Sequence, residues 1–491
     1  MNSSAISATM LDPDSCYAAV SARDRRFDGQ FFTAVRTTGI FCRPICPATT
    51  PRRANVAFFR TAAAALEAGF RPCLRCRPER APGLNPMLFP ETLFRQALAA
   101  VNAGALDGQP AAALATRLGI TERHLRRLFE KYLGASPGAV ASMRRALLAK
   151  QLLEDNDLPL IQVAYAAGFS SLRRFNHVMR SVYHDAPSLL RRLARERGTA
   201  PASGAIAVHV PYRAPLAWEA LLGFLGKRAI GGVETVADGI YRRVWRARAG
   251  HANAIAVAHA PERHALRVTL WLERVEELPA ALGGVRRLFD VDADTPALEA
   301  HLAQNRRFAR VVARRPGLRV PGAWDGFELA VRAILGQQVS VAAACTLAGR
   351  LVARHGEPLA TAQLPREFST LGYAFPTPQA LARADLRAIG LTANRARYLS
   401  DLARAVAIDP RVLDNTQALL ELAGIGAWTA QYIAMRAQRD PNAFPATDLG
   451  VRKAVERLFG ITAQKEMELL AETWAPWRAY AVMHCWESLG E

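Results

Sequence analysis

Four of the seven cysteines lie early in the chain at the spacing of metal ligands. Cys42 and Cys46 form a C-x3-C pair, and Cys73 and Cys76 form a C-x2-C pair, with 26 residues between the pairs. Two short loops that each present two thiolates can surround one tetrahedral zinc ion. A disulfide framework is the weaker alternative, because no secretory signal pattern precedes these residues. The spacing predicts one zinc ion with four cysteine ligands, and most such sites are structural.

A second candidate centre lies near the end of the chain. Residues 420–432, LELAGIGAWTAQY, place Gly424 and Gly426 in a short turn between two helical stretches. Glycines let a backbone approach closely, so this turn can point N–H groups at a DNA phosphate, with a possible monovalent cation. Asp448 follows 22 residues after Gly426. The turn alone is weak support for DNA binding.

The 491-residue chain is basic, with a formal net charge of +20 carried mainly by arginine. A basic surface is typical of proteins that bind polyanions, and the guanidinium fork suits phosphate and guanine. A genome rich in G and C would also enrich arginine. Hydrophobic residues make up 51% of the chain, yet no apolar run reaches the ~18 residues of a membrane span. We therefore expect a cytoplasmic protein that binds nucleic acid and no membrane.

Changes in pattern along the chain predict a multidomain, mainly α protein. Stretches such as AIAVHVPY and HALRVTLWL indicate strands, whereas helical periodicity dominates before and after them. Segments 80–90 and 198–204 are rich in Pro, Gly or small residues and indicate linkers. The four predicted domains are a small α+β zinc domain (10–80), an all-α double helix-turn-helix domain (90–197), an α+β antiparallel-sheet subdomain (205–318) and an all-α helical domain (319–491).

Two helix-turn-helix units are predicted between residues 105 and 197. In PAAALATRLGITERHLRRLFEK (110–131), Gly119 supplies the turn and Thr121 caps the second helix. LPLIQVAYAAGFSSLRRFNHVMRS (158–181) repeats this plan with Gly168 and a serine cap. Long polar side chains on each second helix can reach bases and phosphates in a major groove: Arg123, Arg126, Arg127, Arg173, Arg174 and Asn176. A helical bundle with a solvated basic face is the alternative.

The paired units, and GFSSLRRFNHVMR in particular, resemble the AraC-type DNA-binding module. The preceding FFTAVRTTGIFCRPICPATTPRRANVAFF and GFRPCLRCRPE resemble the zinc domain of the bacterial Ada family. This resemblance implies that Cys42 accepts a methyl group irreversibly from a DNA methylphosphotriester, with Cys46, Cys73 and Cys76 as companion zinc ligands. It also implies transcriptional activation, with RNA polymerase as a partner. The second methyl-acceptor signature of that family, PCHRV, is missing from this sequence.

The C-terminal half resembles the AlkA-type 3-methyladenine DNA glycosylases of the helix-hairpin-helix superfamily. The resemblance rests on WDGFELAVRAILGQQVSVAAA (324–344), the Gly424 turn, FPATDLGVRKAVERLFG (444–460) and WAPWRAYAVMHCW (474–486). It implies base flipping, with Asp448 as the catalytic carboxylate that stabilises positive charge on the deoxyribose. Asp448 can cap a helix as well, and both roles can hold. Trp428 stands where lyase-type relatives carry a lysine, which implies a monofunctional enzyme that uses water.

The same resemblance assigns a base pocket and further DNA contacts. Trp428, Tyr432 and Trp486 would hold an alkylated, positively charged purine by stacking and cation–π attraction. For each of these aromatic residues, ordinary core packing is the alternative. The DNA contacts would include Gly424, Gly426, Thr429 and Gln338. Gln338 departs from the leucine wedge of the best-known members.

Together these features predict a bacterial alkylation-damage response protein. It would act as a monomer on double-stranded DNA in the nucleoid, both at alkylated sites and at a promoter operator. Two alternatives stay open at this stage. The glycosylase half could bind DNA without catalysis in a transcription regulator, or the zinc domain could be purely structural in a glycosylase.

Overall fold

A computed structural model describes residues 12–86, 89–196, 205–246 and 252–490 of the chain. These residues fold into two compact units. Unit 1 comprises Met1–Arg213, Glu262–Thr269 and Arg274–Gly283, and unit 2 comprises Ala214–Pro261, Leu270–Glu273 and Gly284–Glu491. The predicted linker at 198–204 lies outside the described residues. Within the described ranges, no helix combines the length and apolarity needed to cross a bilayer.

The N-terminal part of unit 1 is a small sheet with two helices. Its elements are α1 (Pro13–Ala22), β1 (Phe32–Val35), β2 (Ile40–Cys42), β3 (Val56–Phe59), α2 (Ala62–Glu67) and β4 (Arg71–Pro72). Strand β1 pairs antiparallel with β2 and β3, and β4 runs parallel to β2. Aromatic pairs fill the small core, since Phe31 packs edge-to-face on Phe58 and Phe32 on Phe41. The sheet confirms the predicted α+β zinc domain.

A series of helices follows in unit 1, and both predicted helix-turn-helix units form. They are α3 (Thr92–Asn102), α4 (Ala111–Arg117), α5 (Glu122–Leu133), α6 (Pro137–Asp155), α7 (Leu160–Ala166), α8 (Leu172–Tyr183) and α9 (Pro187–Arg195). Gly119 and Gly168 take φ values of +70° and +93° in the two turns, a region that glycine enters without steric cost. The Thr121 and Ser171 hydroxyls accept backbone N–H bonds at the starts of α5 and α8.

In the first predicted linker, 80–90, Phe89 is packed against the helices. The side chain of Phe89 is 1% exposed, and its ring lies 4.8 Å from that of Phe94 and 5.4 Å from that of Tyr132, centroid to centroid. Asn85 is buried as well. Proline and glycine content predicted an irregular segment, but burial of one phenylalanine fixes it on the core.

Asp107 fastens the long helix α6 to the turn before α4. Its carboxylate accepts a bond from Arg144 and a 3.1 Å bond from Arg145 Nη1. A Cβ on Gly168 would lie 2.3 Å from Asp107 Oδ2. Glycine is therefore required at the second turn both for its φ value and for the space that this carboxylate occupies.

Strand β5 (Ile206–Pro211) lies within the bounds of unit 1. Asn156, just after α6, bonds to both backbone groups of Ala207. Its Oδ1 accepts from the N–H at 2.7 Å, and its Nδ2 donates to the carbonyl at 2.8 Å. The Asn156 side chain thus makes the two hydrogen bonds that the backbone of a neighbouring strand would make. Such a contact is not visible in the pattern of apolar and polar residues along the sequence.

Unit 2 contains an antiparallel sheet, as predicted. In unit 2 the chain passes through α10 (Trp218–Gly226), β6 (Glu234–Ala237), β7 (Ile240–Arg246) and β8 (Ala252–Ala260). Strand β9 (Ala265–Trp271) and helix α11 (Leu278–Leu288) follow, and the greater part of each lies within the bounds of unit 1. Strand β7 pairs antiparallel with β6 and with β8. The segment after α10 leads into β6, and two of its residues, Arg228 and Ile230, line the pocket beside Asp448.

The rest of unit 2 is mainly helical. Its elements are α12 (Thr295–Leu302), α13 (Arg306–Arg314), α14 (Gly326–Leu335), α15 (Val341–His355), β10 (Glu357–Pro358), β11 (Tyr373–Ala374), α16 (Pro378–Leu381), α17 (Ala393–Ile408), α18 (Thr416–Leu420), α19 (Ala427–Arg436), α20 (Leu449–Phe459), α21 (Gln464–Glu472) and α22 (Arg478–Leu489). Helix α14 is central, because Ala330, Ile334 and Leu335 are fully buried. The short β10–β11 pair corrects the all-α expectation for 319–491.

A buried ion network joins the sheet of unit 2 to helix α14. Arg243 on β7 pairs with Glu328 of α14 and, at 3.0 Å, with Glu234 of β6. Arg332 of α14 pairs with the same two carboxylates, each at 2.5 Å. Two positive and two negative charges therefore satisfy one another out of water, which is the condition for keeping such groups buried.

Replacing Asp107 with alanine is expected to lower the free energy of unfolding of unit 1 by about 3 kcal/mol, because Arg144 and Arg145 lose their shared carboxylate. These arginine side chains are only 14% and 16% exposed. Thermal and urea unfolding followed by circular dichroism measure the change. The control is Asp157→Ala at an ion pair with Arg195 that is 56% exposed on both sides, which is expected to cost less than about 1 kcal/mol. Equal small losses in both variants would contradict the assigned role of Asp107.

Candidate functional site

The sheet of unit 1 brings the four predicted cysteines together. Cys42 ends β2, and Cys73 follows β4, where its N–H donates to the carbonyl of Phe41 at 3.0 Å. The four Sγ atoms all lie within 4.8 Å of one another. Zinc–sulfur bonds of about 2.3 Å place tetrahedral sulfur atoms about 3.8 Å apart, so the cluster fits one zinc ion. The four cysteines form a zinc site.

Exposure divides the four ligands into two pairs. Cys73 and Cys76 are buried, whereas Cys42 and Cys46 are half-buried and can be approached from solvent. The backbone N–H of Arg43 donates to Cys76 Sγ at 3.3 Å, which adds an outer hydrogen bond to a buried ligand. Cys16 lies outside the cluster in a separate apolar core.

The arginines around the zinc site differ in availability. The guanidinium of Arg43 is bonded to Asp28 and to the carbonyl of Cys76, and Arg77 is paired with Glu154 at 3.4 Å. Arg52 and Arg75 are exposed. A phosphate that approaches the cluster therefore meets Arg52 and Arg75 more readily than the two arginines that hold carboxylates.

The predicted groove-reading side chains lie on the outer faces of α5 and α8. Arg123, Arg126 and Arg127 are exposed on α5, and Arg173 and Arg174 are exposed on α8 with Asn176 half-buried beside them. The opposite faces of both helices are buried, through residues such as Leu125 and Phe175. Each helix thus packs its apolar face into the core and presents its basic face to solvent.

In unit 2, the glycine turn between α18 and α19 forms as predicted. Gly424 has φ +83°, and a Cβ there would lie 2.2 Å from the Tyr398 ring. Gly426 caps α19 and is exposed. Gln337 Nε2 fixes the turn by donating to the carbonyl of Gly424 at 2.8 Å and to Thr429 Oγ1 at 3.0 Å.

Two of the predicted DNA contacts lie in contrasting surroundings. Thr429 is 3% exposed, and its hydroxyl accepts a hydrogen bond from Gln337. Its side chain is therefore buried, although a contact with DNA would need it at the surface. Gln338 is exposed at φ +56° between α14 and α15, a conformation that costs energy in a residue with a side chain. Two adjacent glutamines therefore differ in a way that no sequence pattern indicates, since Gln337 is half-buried and braces the turn while Gln338 is exposed.

Three hydrogen bonds hold the carboxylate of Asp448 at the start of α20. Oδ2 accepts from Trp428 Nε1 at 2.8 Å, and Oδ1 accepts from Trp486 Nε1 at 2.8 Å. Oδ1 also accepts from the backbone N–H of Val451 at 2.9 Å, which is the helix cap. Both predicted roles of Asp448 are therefore geometrically compatible, since one carboxylate caps the helix and faces the aromatic residues.

Asp448 opens on a pocket of about 380 Å³. The rings of Trp428 and Tyr432 stack at 5.2 Å, and Trp486 stacks on Phe224 at 6.2 Å, centroid to centroid. A Cβ at Gly450 would lie 2.9 Å from Trp486 Cδ1, so glycine is needed where α20 meets this ring. The three predicted aromatic residues line one pocket rather than separate parts of the core.

The structure adds pocket residues that sequence reasoning missed. Arg228, Arg332 and Arg436 line the same cavity, with Cys345 on α15. Arg436, the last residue of α19, is 5% exposed, and no pattern in the sequence marks this arginine as buried. Burial would raise the pKa of the Tyr432 phenol, but the charges of Arg436 and Arg228 outweigh burial and lower that pKa overall.

Four family models match successive parts of the chain. They are the metal binding domain of Ada at residues 15–79 and a helix-turn-helix domain at 114–193. The AlkA N-terminal domain follows at 207–325, and the HhH-GPD superfamily of base excision DNA repair proteins matches 331–479. The cysteine cluster lies in the first match, and the Asp448 pocket lies mostly in the last.

A Mycobacterium tuberculosis protein, named a probable bifunctional transcriptional activator/DNA repair enzyme AlkA, is 39% identical over 488 residues, which cover 97% of each chain. The chain belongs to this family. Within the family's arrangement, the two halves also match separate proteins. The Escherichia coli DNA-3-methyladenine glycosylase 2 is 36% identical over 57% of this chain and 96% of its own length. The Escherichia coli Ada enzyme is 41% identical over 30% of this chain and 40% of its own length.

Proposed function

We propose that this protein is a bifunctional alkylation-response protein, in which unit 2 is a DNA glycosylase for alkylated bases and unit 1 is a methylphosphotriester sensor that activates transcription. The observation that carries the enzymatic part is the Asp448 carboxylate, held by two indole N–H groups at the mouth of an aromatic pocket. The names of the relatives support both halves.

In the proposed reaction, a damaged nucleotide is flipped out of the duplex and its base enters the pocket between the aromatic rings. As the glycosidic bond breaks, the electron pair passes to the base and positive charge develops on the deoxyribose. The fixed Asp448 carboxylate stabilises that charge and orients a water for attack on the sugar. Among the described residues, no lysine lines the pocket, which supports a monofunctional enzyme that leaves an abasic site.

We also propose that the glycine turn contacts the DNA backbone. Gly424 and Gly426 would present backbone N–H groups to a phosphate, with room for a monovalent cation. Gln338 would enter the duplex from its exposed, positive-φ position. Thr429 would act through its buried hydrogen bond to Gln337 rather than by a side-chain contact with DNA.

Replacing Asp448 with asparagine keeps the size of the side chain and removes the negative charge. We expect release of 3-methyladenine from methylated DNA to fall at least about a thousandfold, because the sugar cation loses its counter-charge. Chromatography of the released base measures this rate. The control, Asp401→Asn, alters a carboxylate that pairs with Arg404 on the surface of α17 and should retain activity. Undiminished release by Asp448→Asn would contradict the catalytic role of Asp448, whereas no release by the unaltered protein would favour a half that only binds DNA.

For the sensor, we propose that Cys42 is the methyl acceptor. Of the four ligands, Cys42 and Cys46 are the more accessible, and resemblance to the Ada family selects Cys42. A bound zinc ion keeps the cysteines deprotonated. The Cys42 sulfur forms a bond to the methyl carbon, the carbon–oxygen bond of the phosphotriester breaks, and the phosphodiester leaves as an anion. Each molecule reacts once.

Methylation would convert this reaction into a signal. Four thiolates and one zinc ion carry a net charge of −2, and a methylated Cys42 removes one negative charge. Repulsion from DNA phosphates falls while Arg52 and Arg75 stay exposed, so binding to DNA strengthens. The exposed arginines of α5 and α8 would then hold an operator, from which the monomer contacts RNA polymerase.

A duplex with a single methylphosphotriester tests the sensor directly. After incubation with the zinc-loaded protein, peptide mass spectrometry should locate one added methyl group on Cys42. Cys42→Ser should acquire none, and Cys345→Ser, far from the cluster in sequence, should be methylated on Cys42 like the unaltered protein. Methylation of Cys46 or of no residue would contradict the proposal, and the second result would favour a purely structural zinc domain.

A further inference from the structure

One segment of unit 2 carries many arginines that the proposed reaction does not use. Residues 300–324 contain six arginines and no aspartate or glutamate. Four of these arginines belong to helix α13, which runs from Arg306 to Arg314. Such a concentration of one charge sign along a helix is typical of a surface that binds a polyanion.

The orientation of α13 is fixed by its apolar side. Phe308 and Val312 are buried, and the Phe308 ring stacks on that of Trp474 at 4.9 Å, centroid to centroid. Arg306 and Arg310 lie four positions apart, on the opposite side of the helix, and both are exposed. Burial of the apolar side therefore holds the basic side of α13 toward solvent.

The charges at the start of α13 are available to a ligand. In the part of the chain that the structure describes, no carboxylate lies within ion-pair distance of Arg306 or Arg310. Arg307 Nη1 donates to the carbonyl of Phe459 at 3.3 Å, which satisfies a donor and leaves the positive charge in place. Arg315, just after the helix, is by contrast ion-paired with a glutamate. The uncompensated charge is thus concentrated on the first two turns of α13.

Helix α20 connects this end of α13 to the catalytic carboxylate. It is capped by Asp448 and ends at Phe459, whose carbonyl accepts the bond from Arg307. Its eleven residues span about 16 Å at 1.5 Å per residue. Phosphates follow one another by about 3.4 Å per base pair along a strand, so this length corresponds to about five base pairs of duplex.

The exposed side of α20 is basic as well. Arg452 and Lys453 lie about one turn after the catalytic residue and are exposed. Arg457 is exposed farther along the helix, and Glu456 is the acidic residue beside it. Three positive charges thus exceed one negative charge on this side. Basic side chains therefore continue from the neighbourhood of the catalytic carboxylate to α13.

We propose that the exposed arginines of α13, together with Arg452 and Lys453 of α20, bind the phosphate backbone of the substrate duplex about five base pairs from the flipped nucleotide. This inference rests on the proposed glycosylase function. The occupant is the substrate duplex rather than a second polyanion, because this basic surface is continuous with the helix that holds the catalytic carboxylate. Guanidinium groups match phosphate geometry, and backbone contacts carry no sequence preference. The flanking contact keeps the protein aligned on the duplex while one nucleotide leaves the stack.

Hydroxyl-radical footprinting on a long duplex with one central abasic-site analogue, tetrahydrofuran, tests the proposal. The unaltered protein should protect the backbone at the analogue and a second stretch about five base pairs to one side. Arg306→Gln/Arg310→Gln should lose the second stretch and keep the first. The matched control, Arg383→Gln/Arg387→Gln, removes two other exposed arginines of unit 2 that are also four positions apart, and it should keep both stretches.

Single-turnover release of 7-methylguanine gives a second readout. On a long duplex, Arg306→Gln/Arg310→Gln should need about fivefold more protein than the unaltered chain to reach half the maximal rate. On a duplex that ends about three base pairs from the lesion on each side, the two proteins should match, since the flanking phosphates are missing. The maximal rate should stay the same on both duplexes, because neither arginine lines the base pocket.

The outcomes separate this surface from the glycosylase function. A footprint of the unaltered protein confined to the lesion, or a flanking stretch that survives in Arg306→Gln/Arg310→Gln, would overturn the surface. Equal losses in the control pair, or equal losses on the long and short duplexes, would do the same. In each of these cases, release of the base by the unaltered protein leaves the glycosylase function standing. If that protein released neither 7-methylguanine nor 3-methyladenine, the glycosylase function would fail and the surface with it.

Discussion

The chemistry proposed for unit 2 depends on holding one ionised carboxylate among aromatic rings. A charge in such surroundings is costly unless hydrogen bonds replace its water. Trp428, Trp486 and the backbone of Val451 supply three donors to Asp448. The same indoles form the walls of the pocket. The indoles of Trp428 and Trp486 therefore both position the carboxylate and shape the pocket. A substitution of either indole changes both properties.

The surrounding fold is arranged so that this constraint can be met. Gly450 leaves room for Trp486 beside the helix start, and Gln337 braces the turn from which α19 carries Trp428. Farther in, the network of Arg243, Arg332 and their two glutamates cancels its own charge. Among the described residues that line the pocket, Arg228 and Arg436 carry positive charge without an ion pair to a carboxylate.

Much of the local structure was predictable because it is encoded over short distances. Glycine turns, hydroxyl caps and each of the two cysteine pairs depend on residues within one or two turns of chain, and the zinc cluster, Gly119 and Thr121 lie as expected. Contacts between distant residues were not predictable in this way. Arg228 and Arg436 meet at Phe224 from positions about two hundred residues apart. The burial of Thr429 depends on Gln337, and that of Phe89 on Tyr132.

The most direct test of the central claim is to remove the indole donors while keeping aromatic rings. Single-turnover release of 7-methylguanine would be measured for Trp428→Phe, Trp486→Phe and the double variant. Each single change is expected to slow release about tenfold or more, because Asp448 loses a hydrogen bond that fixes its charge. The double variant should lose less than the product of the two effects, since both donors serve one carboxylate. Release at the unaltered rate by all three variants would contradict the account.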